Sequence, residues 1–216
     1  PKPKALPMME VIVTHFKPFF LGMLICIAGY VLFYIIIAFS QIYAKSAPSQ
    51  SEAGYAMGLG FSPQIFTALL MYSAVSLAIS ITISGKCIDK IGRRIWLIWT
   101  TVAVAIFGLA LPYFLENGTT VSLFWFLIIG MGLIGMGYGP LSSFLPELFP
   151  THVRYTGASL TYNIAGLFGA SVAAIIALPL NANYGLKGVG IYLTLNAVLS
   201  LIGLWFITET RDRQLL

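Results

Sequence analysis

Six long runs of apolar residues, separated by short polar segments, constrain this chain more than any other feature. A bilayer core about 30 Å thick is crossed by roughly 20 residues of α-helix. Each run meets that length, and none has a charged residue near its centre. The runs are Pro18–Tyr43, Ser62–Ser84, Ile95–Leu115, Val121–Phe144, Thr156–Leu180 and Gly188–Ile207. The sequence therefore predicts an all-α integral membrane protein with six transmembrane helices.

The composition supports a lipid environment. Only 9% of the 216 residues are charged, while 58% are hydrophobic. A soluble domain carries about 25% charged residues, so this chain could not cover its surface in water. The net charge of +5 does not indicate nucleic-acid binding, because the basic residues lie in short loops between apolar runs. We expect the lipid bilayer as a partner and no nucleic acid.

The basic residues also predict an orientation. Alternate loops carry 10 and 2 of the 12 Lys and Arg residues, and the side richer in them is normally cytoplasmic. The ten are Lys2, Lys4, Lys17, Lys86, Lys90, Arg93, Arg94, Arg154, Arg211 and Arg213, and the two are Lys45 and Lys187. Both termini are then cytoplasmic, which agrees with an even number of spans.

The segment between the second and third runs reads Gly-Lys-Cys-Ile-Asp-Lys-Ile-Gly-Arg-Arg over residues 85–94. Gly85 and Gly92 would let the backbone turn sharply. Asp89 lies four residues before Arg93 and can pair with it if the stretch is helical. A generic cytoplasmic loop would explain the four basic residues, but the spacing of glycine and aspartate favours a specific motif.

This segment resembles the G-x-L-x-D-x-x-G-R-R/K signature between the second and third helices of each half of major facilitator transporters. Cys87 stands where the signature has Leu. The resemblance implies a conformational latch that holds the two halves together in the outward-facing state. Its residues would be Gly85, Asp89, Gly92, Arg93 and Arg94.

A second stretch, Leu145–Ser159, reads LPELFPTHVRYTGAS. It resembles the loop between helices ten and eleven in the metabolite:proton symporter branch, whose carriers take proline and betaine, 2-oxoglutarate, citrate or shikimate. The segments around Leu6–Val11, His15–Lys17 and Glu209–Arg211 also resemble that branch.

The resemblance covers essentially the whole chain, as the second half of a twelve-helix protein. It implies a cytoplasmic linker between the halves (residues 1–17), a six-helix domain (18–207) built as two inverted three-helix repeats, and a cytoplasmic tail (208–216). The implied function is half of a secondary active transporter of the inner membrane. It would move a small polar or anionic metabolite with a proton by alternating access, together with the N-terminal half.

Two prolines, Pro146 and Pro150, are expected to end the fourth helix near the membrane surface. Glu147 and Arg154 would then face each other across a short turn as a cytoplasmic loop pair. His152 in the same loop is a candidate proton site, although a lone loop histidine is more often only solvated.

Polar groups inside the spans are candidate substrate contacts, because the resemblance places the first, fourth and fifth helices around a central cavity. The candidates are Tyr30, Tyr34 and Gln41 on the first helix, Tyr138 and Ser142 on the fourth, and Ser159 and Asn163, beside Tyr162, on the fifth. Each could instead satisfy a hydrogen bond between or within helices.

Gly130, Gly132 and Gly135 satisfy the G-x-G-x-x-G pattern of dinucleotide sites, which requires a preceding strand. Because these glycines lie inside an apolar helical run, close helix packing explains them better. Cys26 and Cys87 lie in an apolar run and a basic loop, so no disulfide is expected. We predict no cofactor and no metal.

An enzyme is not expected, because the spans hold no acid near their centres and the only histidines, His15 and His152, flank them. Groups that carry a proton would therefore lie in the other half. The chain opens Pro-Lys-Pro-Lys, which favours a fragment or a processed chain. Two alternatives stay open: a self-contained six-helix protein that homodimerises into a carrier or pore, and a non-transporting membrane scaffold.

Overall fold

Residues 7–207 fold into six α-helices. A computed structural model describes residues 7–207, so the first six residues of the predicted linker and the predicted tail lie outside the described residues. The helices are α1 (Pro7–Thr14), α2 (Phe16–Lys45), α3 (Pro63–Ile91), α4 (Arg93–Glu116), α5 (Thr120–Glu147) and α6 (Arg154–Phe206). Residues 7–207 contain no β-strand beyond one isolated bridge between Gln50 and Ala56.

Five of these helices are long and apolar enough to cross a membrane, and the last, with 53 residues, is long enough to cross it twice. As a straight rod the 53 residues of α6 would be about 80 Å long. The helix breaks at Gly185, which has φ 68° and ψ −171°. A Cβ at this position would lie 2.6 Å from Cδ1 of Tyr55. We call residues 154–184 α6a and residues 186–206 α6b; the prediction of an all-α fold with six spans is confirmed.

Local sequence signals set where the spans begin. Ser62 accepts a hydrogen bond from the backbone N–H of Ile65 at 3.4 Å and so caps α3, with Pro63 as its first residue. Thr119 caps α5 in the same way, accepting from the N–H of Ser122 at 3.1 Å. Gly92 separates α3 from α4 with φ 99°, a backbone conformation that favours glycine.

Large apolar side chains cover the outside of the bundle. α3 buries the smallest share of its apolar length, and Met71, Val75 and Ile79 form an exposed stripe along it at four-residue spacing. Trp99 and Ile106 are exposed on α4. Such stripes are what lipid-facing helices present, and in water they would be an aggregation surface.

The helices pack in the arrangement expected of two inverted three-helix repeats. The second span, α3, packs on the fourth, α5, just as the fifth, α6a, packs on the first, α2. The third, α4, packs on the fourth, just as the sixth, α6b, packs on the first. The contact between the third and sixth spans maps onto itself. If the first, second and third spans are taken as equivalent to the fourth, fifth and sixth, each of these contacts therefore has an equivalent contact elsewhere in the bundle or is its own equivalent.

Hydrogen bonds from side chains to backbone carbonyls hold several of these contacts. The hydroxyl of Ser76 on α3 donates to the carbonyl of Ile128 on α5 at 2.9 Å. The hydroxyl of Ser200 on α6b donates to the carbonyl of Leu24 on α2 at 2.6 Å. Such bonds between membrane helices contribute about 0.6 kcal/mol on average. Their role here is to fix the register of neighbouring spans.

The glycine-rich part of α5 lies against α3. Gly130, Gly132 and Gly135 are all helical, so the G-x-G-x-x-G match is not a dinucleotide loop. A Cβ built on Gly135 would lie 2.6 Å from the backbone oxygen of Leu77 in α3. Only glycine permits this approach, as the sequence interpretation of close helix packing predicted.

Candidate functional site

One face of the bundle, formed by α2, α5 and α6a, exposes polar side chains within apolar helices. Ser142 on α5 and Ser159 and Asn163 on α6a are all exposed. Polar groups in membrane spans normally face the interior of a bundle or a water-filled space rather than lipid. We call this surface the polar face; α3 and α4 present the apolar stripes described above instead.

Three tyrosines, one from each of these helices, meet on the polar face. Tyr30 of α2 and Tyr162 of α6a lie edge to face, with ring centroids 6.3 Å apart and planes at 85°. Tyr138 of α5 lines the same recess together with Cys26. None of the three hydroxyl groups has a hydrogen-bond partner within residues 7–207. They are therefore available to a ligand.

The recess behind these tyrosines is too small to hold a metabolite. Its volume is about 40 Å³, far below the roughly 300–1,000 Å³ of pockets that bind small molecules. It lies between α2, α4 and α5, with Leu97 and Val104 among its apolar lining residues. A substrate would have to contact the open polar face rather than this interior space.

The hydroxyl and amide groups predicted on α5 and α6a are partly engaged within their own helices. Ser142 donates to the carbonyl of Gly139 at 2.7 Å. The side-chain amide of Asn163 donates to the carbonyl of Ser159 at 2.8 Å. These bonds fix the two side chains in place. They also reduce the number of donors left for a ligand.

The remaining candidates on α2 lie on either side of a π-helical turn, Ile35–Phe39. The hydroxyl of Tyr34 is 3.5 Å from the carbonyl oxygen of Ala174, at the limit of a hydrogen bond. Gln41 is exposed and lies four residues before the end of α2. π-Helical turns are often found at functional sites because they redirect side chains.

We call the end of the bundle at which α5 reaches Glu147 the basic end. There Glu147 pairs with Arg93 of α4 and not with Arg154. The predicted Glu147–Arg154 pair is therefore wrong. Arg154 folds back on its own loop, where it contacts the carbonyl of Phe149 at 3.5 Å and the hydroxyl of Thr151 at 3.3 Å. The break at the start of α4 directs Arg93 toward α5 and gives Glu147 a closer partner.

Arg94 caps the last span. Its Nε donates to the carbonyl of Leu204 at 2.8 Å, and its Nη2 donates to the carbonyl of Trp205 at 3.0 Å. Both carbonyls belong to the last turn of α6b, where a cation also interacts favourably with the helix dipole. Arg93 and Arg94 thus join α4 to α5 and α6b.

Asp89 and Gly85 differ from the sequence interpretation. Gly85 lies inside α3, so only Gly92 supplies the turn. The helix ends at Ile91, and Asp89 does not pair with Arg93. Asp89 is exposed and forms no hydrogen bond or ion pair with residues 7–207.

Comparison with known proteins identifies the family. Residues 54–216 match the family described as "Sugar (and other) transporter". The chain belongs to this transporter family. The resemblance to a six-helix half of a major facilitator transporter is confirmed, and the family is one of transporters rather than enzymes.

Relatives of this transporter chain are about twice its length. It is 87% identical to a "Putative metabolite transport protein" of Haemophilus influenzae, over 100% of this chain and 48% of the relative. It is 38% identical to the inner membrane metabolite transport protein YhjE of Escherichia coli K12, over 97% of this chain and 46% of the relative. It is 26% identical to the glycine betaine/proline/ectoine/pipecolic acid transporter OusA of Dickeya dadantii, over 95% and 39%.

The chain therefore spans about half the length of the first two of these curated relatives. No solved structure gave a significant match.

Sequence reasoning missed two features of this transporter half. Tyr162 entered only as a neighbour of Asn163, although its spacing of three residues from Ser159 could have placed it on the polar face. The partner of Glu147 had no local signal, because Arg93 is 54 residues away.

Proposed function

We propose that this chain is the C-terminal half of a secondary active transporter that moves a small polar or anionic metabolite by proton symport with alternating access. The observation that carries the proposal is the polar face of α2, α5 and α6a, which has no role in a bundle surrounded only by lipid. A second half packed over this face would enclose a central pathway. Relatives of twice the length are consistent with such a half.

The tyrosines at the centre of this face are the proposed substrate contacts. The hydroxyls of Tyr30, Tyr138 and Tyr162 can donate to a carboxylate, and their ring faces can accept a cationic group. A surface with both capacities suits an anionic metabolite and also a zwitterion. Zwitterionic solutes such as proline and glycine betaine therefore belong in a substrate screen, since the name of one relative includes them.

Proton coupling would require groups beyond this chain. Within residues 16–206, no Asp, Glu, Lys or Arg lies near the middle of a span. Ionisable residues near the bilayer centre are the usual proton relays of carriers. We propose that the N-terminal half supplies these ionisable residues. We also propose that the protein lies in the inner membrane, with both termini of this chain on the cytoplasmic side.

The basic end would serve as the latch. Arg93 and Arg94 join α4 to α5 and α6b, which makes this half a rigid unit at that end. Rigid halves are what rocking-type alternating access requires. Asp89 remains exposed beside them, in a position to pair with the other half in one state and to separate from it in the other.

The test is transport by the full-length protein reconstituted into proteoliposomes. We expect uptake of at least one metabolite from a panel of zwitterions, dicarboxylates and hydroxy acids, driven by an inward proton gradient and abolished by a protonophore. Uptake that ignores the gradient would overturn proton symport. Absence of gradient-driven uptake and of exchange for the entire panel, with protein correctly inserted, would count against the transport proposal.

A further inference from the structure

Three side chains with metal-ligand chemistry meet on the surface beside α1. Glu10 belongs to α1, His15 follows that helix, and His152 lies in the loop between α5 and α6. One ligand atom from each lies within 4.8 Å of the others. The chain contains only two histidines, and the fold brings both to this cluster.

Helix packing and local hydrogen bonds fix the backbone that carries these side chains. Val11 is fully buried and anchors α1 against the bundle. The backbone N–H of His15 donates to the carbonyl of Val11 at 3.1 Å. In the facing loop, the N–H of Val153 donates to the carbonyl of Pro150 at 3.1 Å. Two ordered backbone segments thus present the three side chains to each other.

The side chains themselves are accessible. His152 is 62% exposed and Glu10 is 32% exposed, with Nε2 of His152 2.7 Å from Oε1 of Glu10. The rings of His15 and His152 lie edge to face with centroids 6.4 Å apart. An open groove beside His15 and Lys17 leaves room for a water molecule as a further ligand.

The distances suit a small transition-metal ion. Nitrogen and oxygen ligands about 2.0–2.2 Å from Zn²⁺ in tetrahedral geometry are roughly 3.3–3.6 Å from one another. One ligand atom from each residue lies within 4.8 Å of the others, and Nε2 of His152 is 2.7 Å from Oε1 of Glu10, so modest side-chain movements would bring all three atoms to that spacing. The hydrogen bond of His152 to Glu10 would be replaced by coordination of both groups to the ion.

The ligand types select the kind of ion. Two imidazoles and one carboxylate suit Zn²⁺, Co²⁺ or Ni²⁺, whereas Mg²⁺ and Ca²⁺ prefer oxygen ligands alone. The carboxylate of Glu10 would offset part of the metal charge. The ammonium group of Lys17, on the same groove as His15, would weaken binding relative to a site without a neighbouring cation.

We propose that Glu10, His15 and His152 form a Zn²⁺-type transition-metal site that fastens α1 to the loop between α5 and α6. The site goes beyond the proposed transport function and does not depend on it. A bound ion would add a cross-link between two segments that are distant in sequence. It would thereby restrain α1, which the proposed function places in the linker between the two halves.

Metal binding can be measured directly on the full-length protein, purified through an affinity tag that contains no histidine. Co²⁺ bound to imidazole and carboxylate ligands gives visible absorption, and Zn²⁺ should displace it. We expect His15→Gln, His152→Gln and Glu10→Gln each to weaken Co²⁺ binding by at least about tenfold. Glu116→Gln, which removes an exposed carboxylate at the far end of α4, should leave binding unchanged.

A second measurement tests the fastening and does not require transport. Amide hydrogen exchange in residues 7–14 should slow when Zn²⁺ is added to the wild-type protein and should not respond in His152→Gln. Unchanged melting temperatures would show that the variants are folded. Equal Co²⁺ affinity in wild type and both histidine variants, or no effect of Zn²⁺ on exchange, would overturn the site. Either result stands whether or not uptake is detected.

Discussion

Arg93, the first residue of α4, forms an ion pair with Glu147, the last residue of α5. The side chains are only 22% and 15% exposed, so each charge is largely removed from water. The pair joins the last span of the first repeat to the first span of the second. Removing one partner would leave the other charge poorly solvated.

We therefore expect Glu147→Gln or Arg93→Gln to destabilise the protein by about 1–3 kcal/mol. Thermal unfolding of the full-length protein in detergent would measure the effect as a lower melting temperature. The double variant Arg93→Glu with Glu147→Arg should recover part of the loss, while Glu116→Gln should have no effect. Equal melting temperatures for wild type and the single variants would show that the pair contributes nothing.

The close contact of α3 and α5 predicts opposite responses at two neighbouring glycines. A Cβ at Gly135 would meet the backbone oxygen of Leu77 at 2.6 Å, whereas a Cβ at Gly137 would meet nothing within 4 Å. Gly135→Ala should cost about 1–3 kcal/mol because backbone must move. Gly137→Ala should be neutral, or stabilising by up to about 1 kcal/mol through helix propensity. Similar melting temperatures for the two variants would contradict the packing described here.

The exposed carboxylate of Asp89 predicts a functional effect without a structural one. Asp89→Asn should leave the membrane level and melting temperature unchanged, because the side chain has no partner within residues 7–207. If it latches to the other half, uptake should fall by at least about fivefold. The matched control is Glu52→Gln, an exposed acid in the loop before α3. Normal uptake by Asp89→Asn would remove this residue from the latch.

The tyrosines of the polar face predict a change in apparent affinity. Tyr138→Phe and Tyr162→Phe each remove one hydroxyl and keep the ring, so each should raise KM about threefold to tenfold if that hydroxyl binds substrate. Tyr113→Phe is the control, because Tyr113 is 74% exposed on α4, away from the polar face. Unchanged KM in both variants would return the tyrosines to a packing role.

The positions of the spans could be predicted from the sequence because each span is a local property. A run of about 20 apolar residues must form a helix in lipid, where every backbone polar group needs an internal partner. The break at Gly185 lies between the fifth and sixth predicted runs, where the apolar sequence is interrupted. The motif around Gly92, Arg93 and Arg94 could also be recognised from the sequence, because its residues lie close together in the chain.

Partners across the bundle could not be predicted, because they depend on which helices become neighbours. Glu147 lies seven residues from Arg154 in sequence, yet it pairs with Arg93. The two histidines flank different spans, and nothing in the sequence places them together. They become neighbours because α1 packs beside the loop after α5.

The sequence by itself thus determined that this chain crosses a membrane six times, and it indicated the family. Hydrophobicity, charge placement and short motifs depend only on residues that are near one another in the chain. Only the tertiary structure decided which charges pair, which tyrosines meet and where a metal could bind. Those outcomes require groups far apart in the chain to come within a few ångströms of each other, and helix packing alone sets those distances.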